Sequence, residues 1–438
     1  MAKTVIVGAG WAGLAAAIEL TRQGVPVTVI ESAKACGGRA RKIDYRGAQF
    51  DNGQHILIGA YREIFRLLKI CGVDPQQVLQ RAPLHFTFYG DGRKQRSIQL
   101  PRLPAPIHMA AGILQAKGMA WSTKWQLISA SLRFLLRGFK LKSDCSVTAL
   151  LQQAGQTEST IKALWEPLCI ATLNTPPNIA SAEIFLRVLK DAFTQSYRDS
   201  DTILSKVDLS TLFVEPAIRY IRAHGGEVLT STRIKAIEIN EKGITAALTD
   251  SMRIEAKNII LATPPPQTAQ LLKPHAQLHP LVESLQRFEY QPIITLYLQY
   301  SEATRLPHPF VAFDDALTQW LFDRDHCGQP GLMAAVISAE GEHRHWSRTQ
   351  ITDQVKEEIA AHFPHLGDAT ESWLIHEKRA TFAATVGSNA YRPTNQTSTA
   401  GLWLAGDYTD TGYPATLEGA IISGVASAHG LLSDNIRK

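Results

Sequence analysis

Residues 4–31 read TVIVGAGWAGLAAAIELTRQGVPVTVIE, and no other stretch restricts the fold as tightly. Thr4-Val5-Ile6-Val7 is a β-branched run suited to a buried parallel strand. Gly8-Ala9-Gly10-Trp11-Ala12-Gly13 follows, then an Ala-rich helical segment, a stop at Gly24, and a second strand pattern over Val27-Thr28-Val29-Ile30. Glu31 closes that strand, eighteen residues after Gly13. Gly8 permits a tight turn, Gly10 lets the backbone approach a pyrophosphate, and Gly13 lets the helix pack on the strand. Trp11 and Ala12 fall at the helix start, whose free N–H groups favour phosphate, and Glu31 can accept hydrogen bonds from a ribose diol. The same carboxylate repels a 2′-phosphate. The unit is expected to hold a dinucleotide, and the fold class to be α/β with a Rossmann-like cofactor domain.

Two distant segments favour FAD. Gly37-Gly38-Arg39-Ala40 supplies a loop that can pass close to a pyrophosphate and pair with it. Residues 402–407, LWLAGD, form a buried strand pattern ending at Gly406 and Asp407, where the acid can meet a ribityl or phosphate oxygen. Thr416 and Leu417 open a helix rich in small residues, and a helix N-terminus under a flavin ring stabilises negative charge on its reduced form. No second GxGxxG occurs mid-chain, so an integral nicotinamide domain is not expected. No cysteine lies between Gly406 and Glu418, so the FAD is expected to be non-covalent.

A chain of 438 residues exceeds one hydrophobic core, and 45% apolar with 19% charged residues is globular in type. The FAD-binding pieces are expected at 1–85, 214–290 and 385–438. An inserted substrate domain of mixed sheet and helices is expected at 86–213 and 291–384. The apolar runs fall short of the ~20 residues a spanning helix needs, and the N-terminus enters a strand directly, without a signal core. Five scattered cysteines suit reduced thiols and a cytoplasmic location. The net charge of +5 is unevenly spread, with no acidic residue between Asp91 and Asp144. Arg93, Lys94, Arg96, Arg102, Lys117, Lys124, Arg133, Arg137, Lys140 and Lys142 lie there, interleaved with apolar residues including Trp121 and Trp125. Over 107–140 this reads either as cationic amphipathic helices on an anionic bilayer or as ordinary helices with one buried face. Nucleic-acid binding is not expected, because no such module is recognisable.

The glycine loop, GGR and GD motifs, together with residues 226–234 and the strand at 258–264, resemble the amine oxidase and phytoene desaturase superfamily of FAD proteins. That resemblance implies that the backbone at Ile234 holds the adenine. Several further strings resemble one branch, the hydroxysqualene dehydroxylases of bacterial hopanoid pathways: DNGQH at 51–55, WEPLC at 165–169, LNTPP at 173–177, EKRATF at 377–382 and AGDYTDTGYPAT at 405–416. The resemblance implies reductive removal of the hydroxyl of hydroxysqualene, a C30 isoprenoid, to give squalene. It also implies coupling to squalene-synthase-like enzymes; a substrate that resides in the bilayer favours the membrane reading of 107–140 and a peripheral place on the inner membrane. In the superfamily the chain after GGR returns past the flavin ring, which makes Gln54 and His55 catalytic candidates. His55 is the first candidate proton donor, with an unperturbed pKa near ~6.5. Its structural alternative is to cap the helix beginning near Tyr61. Asp410, on the loop after GD, is the second donor candidate, and Asp51 is expected to fix its loop. Arg379 and Lys378 are expected to form a structural ion pair, with flavin or phosphate contact as the alternative. His343 and His345 have no metal-ligand spacing around them, and no metal site is expected. Two rivals stay open: a carotenoid-type desaturase running the redox chemistry in the other direction, and a non-catalytic isoprenoid carrier that retains flavin.

Overall fold

The computed structural model describes residues 4–90, 95–314 and 316–437; Met1–Lys3, Asp91, Arg93 and Lys94 of the readings above lie outside that range. A five-stranded sheet is assembled from distant pieces in the order Glu227–Leu229, Val27–Ile30, Thr4–Val7, Asn258–Leu261, Leu402–Leu404. All four pairings are parallel. The three central strands are buried at every position, as continuous β-branched runs require. Helix Trp11–Arg22 packs against one face and is itself buried along nearly its whole length under the C-terminal helix Leu417–Arg437.

A second, seven-stranded sheet runs in the order Glu371–Phe382, Tyr290–Gln299, Leu332–Ser338, Trp320–Asp323, Phe310–Phe313, His85–Tyr89, Gln95–Gln99. Its pairings are antiparallel except that between Phe310–Phe313 and His85–Tyr89. The alternation of Tyr290–Gln299 does not translate into one wet face. Ile294, Leu296 and Leu298 pack against Ile351, Val355 and Ile359 of helix Arg348–His362, while Tyr297 stacks on Phe50 from the other side, centroids 4.5 Å apart. Both faces are covered, so this strand forms a wall between two layers.

Helices Ile107–Gln115 and Trp121–Leu136 lie at the far end of that sheet, beside strand Gln95–Gln99. Among the described residues no helix is long and apolar enough to cross a membrane.

Candidate functional site

The glycine loop takes the form its sequence demands. Gly8 has φ +106°, and a Cβ there would collide with the Ala262 carbonyl; a Cβ on Gly13 would collide with the Gly8 carbonyl. Gly10 differs, because a Cβ on it would meet nothing within 4 Å. Its role is therefore openness toward whatever approaches the loop. Helix Trp11–Arg22 begins without a side-chain cap, leaving its first N–H groups facing that open space. The GGR loop is tied to it, Gly37 N donating to Ala9 O at 2.8 Å and Trp11 Nε1 to Ala40 O at 2.9 Å. Trp11 also packs on Phe213, centroids 4.5 Å apart, so its indole braces the loop and Ala12 lies buried behind it. The bracing leaves no trace in the spacing of the motif.

Glu31 lies across the mouth of the loop, accepting from Ala9 N at 2.8 Å and Ala33 N at 2.9 Å. A carboxylate has about four lone-pair sites, so capacity for a diol is left. The segment leading to buried Ile234 is moored beside Glu31, with Thr232 N donating to Glu31 O and Ser231 N to Ala33 O, both at 2.9 Å. Thr416 Oγ1 accepts from Gly419 N at 3.0 Å, which starts the C-terminal helix at Leu417.

Arg39 and Asp407 stand 368 residues apart in sequence and form an ion pair of 2.7 Å. Arg39 also donates to Ala380 O at 2.7 Å. Together with Tyr290, Glu377, Arg379 and Tyr408 they line a cavity of about 190 Å³ between the two sheets. The Tyr290 hydroxyl is buried with no hydrogen-bond partner, and burial pushes its acidity well below that of an ordinary phenol. Asp407 is held from behind by Arg392, a buried guanidinium that donates to the Asp407 carbonyl at 3.1 Å, the Thr409 carbonyl and the Tyr413 carbonyl. Burial lowers Arg392 to about 10, and it stays charged at neutral pH. An open glycine loop, an uncapped helix start, an acid on the second strand and an orphaned hydroxyl in a charged cavity fit FAD.

The DNGQH loop is built around a residue the sequence did not mark. Arg324, 3% exposed, pairs with Asp51, 5% exposed, at 3.1 Å and donates to Gln54 Oε1 at 2.6 Å. Asp51 also accepts from Leu209 N at 2.8 Å, and its carbonyl accepts from Tyr297 Oη at 2.9 Å. Asp51 is thus a loop-fixing acceptor. Asn52 reaches both Arg39 O and Glu377 Oε2 at 3.2 Å, joining this loop to the cavity. His55 Nδ1 lies 2.8 Å from Gly53 O, which can only accept, so Nδ1 carries the hydrogen. Burial lowers its pKa; the Gly53 carbonyl and Asp51 oppose that shift, while Arg39 and Arg324 reinforce it. A neutral His55 therefore offers a lone pair at Nε2, and it becomes a donor there only when charged.

Several expectations are corrected. His55 does not cap the next helix: Arg62–Ile70 has Tyr61 at its N-cap, and Glu418 accepts from Glu63 N at 2.8 Å and Ile64 N at 3.0 Å. Asp410 is exposed, with its N–H bonded to Pro393 O, and stands outside the buried loop cluster. Arg379 lies over the Tyr290 ring at 5.7 Å and lines the cavity, a position suited to its alternative, cofactor contact, and not to the structural ion pair. In the basic stretch, Lys124 is buried with Nζ donating to Leu114 O at 2.8 Å, and Arg96 pairs with Asp314. Neither belongs to an outer cationic face.

A second cavity, of about 50 Å³, lies between the seven-stranded sheet and the helices at 107–136. Phe86, Ile98, Met109, Leu127, Phe134 and Trp165 are among its walls, and Ser131 is the sole hydroxyl, already bonded to Leu127 O at 2.8 Å.

The family described as flavin-containing amine oxidoreductase matches residues 11–432. Hydroxysqualene dehydroxylase of Zymomonas mobilis is 27% identical over 99% of this chain and 100% of its own length. That of Rhodopseudomonas palustris is 27% identical over 98% of each. The 15-cis-phytoene desaturase of Solanum lycopersicum is 25% identical over 98% of this chain and 77% of its own. Among solved structures, an oxidoreductase from Methanosarcina mazei superimposes with TM-score 0.76 at 15% identity, covering all of both chains. Cyclohexylamine oxidase from Brevibacterium oxydans superimposes with TM-score 0.71 at 16% identity, also over all of both. At those identities the structural matches speak for the fold.

Proposed function

The chain belongs to the flavin-containing amine oxidoreductase family and is an FAD-dependent oxidoreductase, and from that premise we propose that it reduces hydroxysqualene to squalene. The observation that carries the reading is the cavity under helices 107–136, about 50 Å³ as it stands and lined by aliphatic and aromatic side chains, with Ser131 its one hydroxyl and no charged group. End-to-end likeness to hydroxysqualene dehydroxylases supports which hydrocarbon it is.

In this reading the allylic C–O bond breaks, the hydroxyl takes one proton and leaves as water, and a C–H bond forms at the same carbon. Reduced FAD, when bound, supplies the hydride. Gly10 and the first turn at Trp11 and Ala12 would hold the pyrophosphate, Glu31 the ribose and Ile234 the adenine, with Gly38, Arg39, Gly406 and Asp407 serving the remainder. The helix start at Thr416 and Leu417 would favour negative charge on the reduced ring. Tyr290 would donate a hydrogen bond to the departing hydroxyl: it stays protonated throughout the working pH range, and its hydroxyl has no competing partner. Neutral His55, through Nε2, accepts a hydrogen bond from the substrate hydroxyl and orients it, and Gln54 is kept in place by Arg324. The apolar walls exclude water, which would trap an allylic cation. Asp410 is assigned no role.

The test is anaerobic incubation of the reduced protein with hydroxysqualene. Squalene and reoxidised flavin are expected; absence of both sinks the proposal. Tyr290→Phe should retain FAD and lose about 10²-fold or more in turnover. His55→Gln should lose less and leave the pH profile unchanged. An acidic limb that vanishes in His55→Gln would return the donor role to His55. Likeness to 15-cis-phytoene desaturase favours a second reading, hydride removal from a polyene precursor. Oxidised protein turning over such a precursor, with no turnover of hydroxysqualene, would select it.

A further inference from the structure

Helix Trp121–Leu136 is apolar on two opposite faces. Leu127, Ala130, Ser131 and Phe134 point inward and are buried. Trp121 is 65% exposed, Trp125 63% and Leu136 78%, with Leu132 beside them. At the helical repeat these four side chains fall within about 60° of one another. The neighbouring helix Ile107–Gln115 repeats the arrangement, with Ile113 inward and Ile107 and Leu114 outward. Of the twelve large hydrophobic residues exposed among the described residues, eight lie between Leu103 and Leu136. Contiguous exposed apolar surface of this kind marks an interaction site. A core-packing helix with one buried face explains the inner side and leaves the outer one unexplained.

Charge identifies the occupant. Arg102, Lys117, Arg133, Arg137, Lys140 and Lys142 are exposed around the patch, and among the described residues none of the six enters an ion pair. Lys124 is drawn inward to Leu114 O and sits 4.8 Å from the Trp121 ring centroid, which ties the indole to the hinge between the helices. Exposed tryptophans on an apolar face, bordered by cations and with no acid on either helix, match an anionic bilayer: rings at headgroup depth, aliphatic side chains among acyl chains, cations on lipid phosphates.

We infer that the outer face of helices Ile107–Gln115 and Trp121–Leu136 docks on an anionic lipid surface, with these helices between that surface and the apolar cavity. Met109, Ile113, Leu127 and Phe134 line the cavity from the inner side of the same two helices. Its present volume of about 50 Å³ is well below the roughly 300 Å³ at which ligand pockets begin, so a long hydrocarbon requires the pair to separate. A lipid surface supplies both the hydrocarbon and an apolar medium into which the outer side chains can spread. The proposal stands apart from the identity of the substrate, because lipid binding needs none.

The test is sedimentation of the FAD-loaded protein with vesicles of phosphatidylcholine alone or with about 30% phosphatidylglycerol, and no substrate. Binding is expected to the anionic vesicles and to be much weaker to the neutral ones. Arg133→Gln/Arg137→Gln/Lys140→Gln should weaken it about a hundredfold, near fivefold for each cation. Trp121→Ser/Trp125→Ser should weaken it more than tenfold while flavin content stays unchanged. Binding that survives both variants, or is equal on neutral and anionic vesicles, overturns the proposal. So does a lipid-free dimer that Trp121→Ser/Trp125→Ser dissolves, since the face then belongs to a second copy of the chain.

Discussion

Replacing Arg324 by Met tests whether the DNGQH loop is held by one buried guanidinium. Arg324 makes three side-chain bonds: to Asp51 at 3.1 Å, Gln54 at 2.6 Å and Gln329 at 2.9 Å. Met fills much of the volume and removes all three, leaving the Asp51 carboxylate with Leu209 N as its remaining main-chain donor at 2.8 Å. Breaking a buried pair from one side costs about 3–5 kcal/mol, because the surviving charge stays out of water. With a urea slope near 3 kcal/mol per M, the unfolding midpoint of the FAD-loaded protein should fall by roughly 1 M or more. Asp51→Asn together with Arg324→Met removes the stranded charge, and the double variant should cost about 1–3 kcal/mol less than the sum of the singles. Turnover in Arg324→Met should drop further than flavin content, because Gln54 loses its anchor while the glycine loop is untouched. A midpoint within about 0.2 M of the parent, or strict additivity in the cycle, refutes the argument.

The other predictions concern separate parts of the molecule. Gly13→Ala forces a Cβ onto the Gly8 carbonyl, and the purified protein should lack the visible flavin absorbance that the parent retains. Burial raises Glu418 to about 7, so the folded state holds its proton more tightly than the unfolded chain, and stability from this group falls as pH rises from about 4.5 to 7. Glu418→Gln should therefore gain on the parent in thermal melts as pH goes from 5 to 8; a constant difference would show that the carboxylate is not buried as described. His108 is fully buried with both ring nitrogens unpartnered, and His108→Leu should stabilise by about 1–3 kcal/mol. Burial also lowers the pKa of His108, so the parent should lose stability below the unfolded value near ~6.5, and the Leu variant should lose less.

The parts of the site legible in the sequence are those fixed by the local backbone. Gly8, Gly13 and the helix start at Thr416 follow from dihedral limits, close approach and unpaired N–H groups, all encoded within a few residues. What was not legible depends on contacts that no spacing encodes. Arg39 meets Asp407 across 368 residues, Arg324 reaches back to Asp51, and the Tyr290 hydroxyl becomes distinctive only once its surroundings offer it no partner. Lys124 shows the same limit at the surface. Its position among exposed cations reads as lipid-facing, yet a flexible stem let it turn inward to a helix carbonyl. The alternation in Tyr290–Gln299 was visible, but whether its second face met water or helix Arg348–His362 was not.

The parallel sheet has a consequence for how this chain is made. Strand Thr4–Val7 receives one neighbour early, from Val27–Ile30, but the other is Asn258–Leu261, and that strand in turn waits for Leu402–Leu404. At about 5–20 residues per second, the first strand leaves the ribosome roughly 12–50 s before its second partner exists. Throughout that interval a β-branched edge is open to mispairing. The glycine loop likewise waits for Ala262, against whose carbonyl Gly8 closes. Flavin capture must therefore follow most of translation, and a pulse-labelled nascent chain should bind FAD only after Leu404 has cleared the exit tunnel.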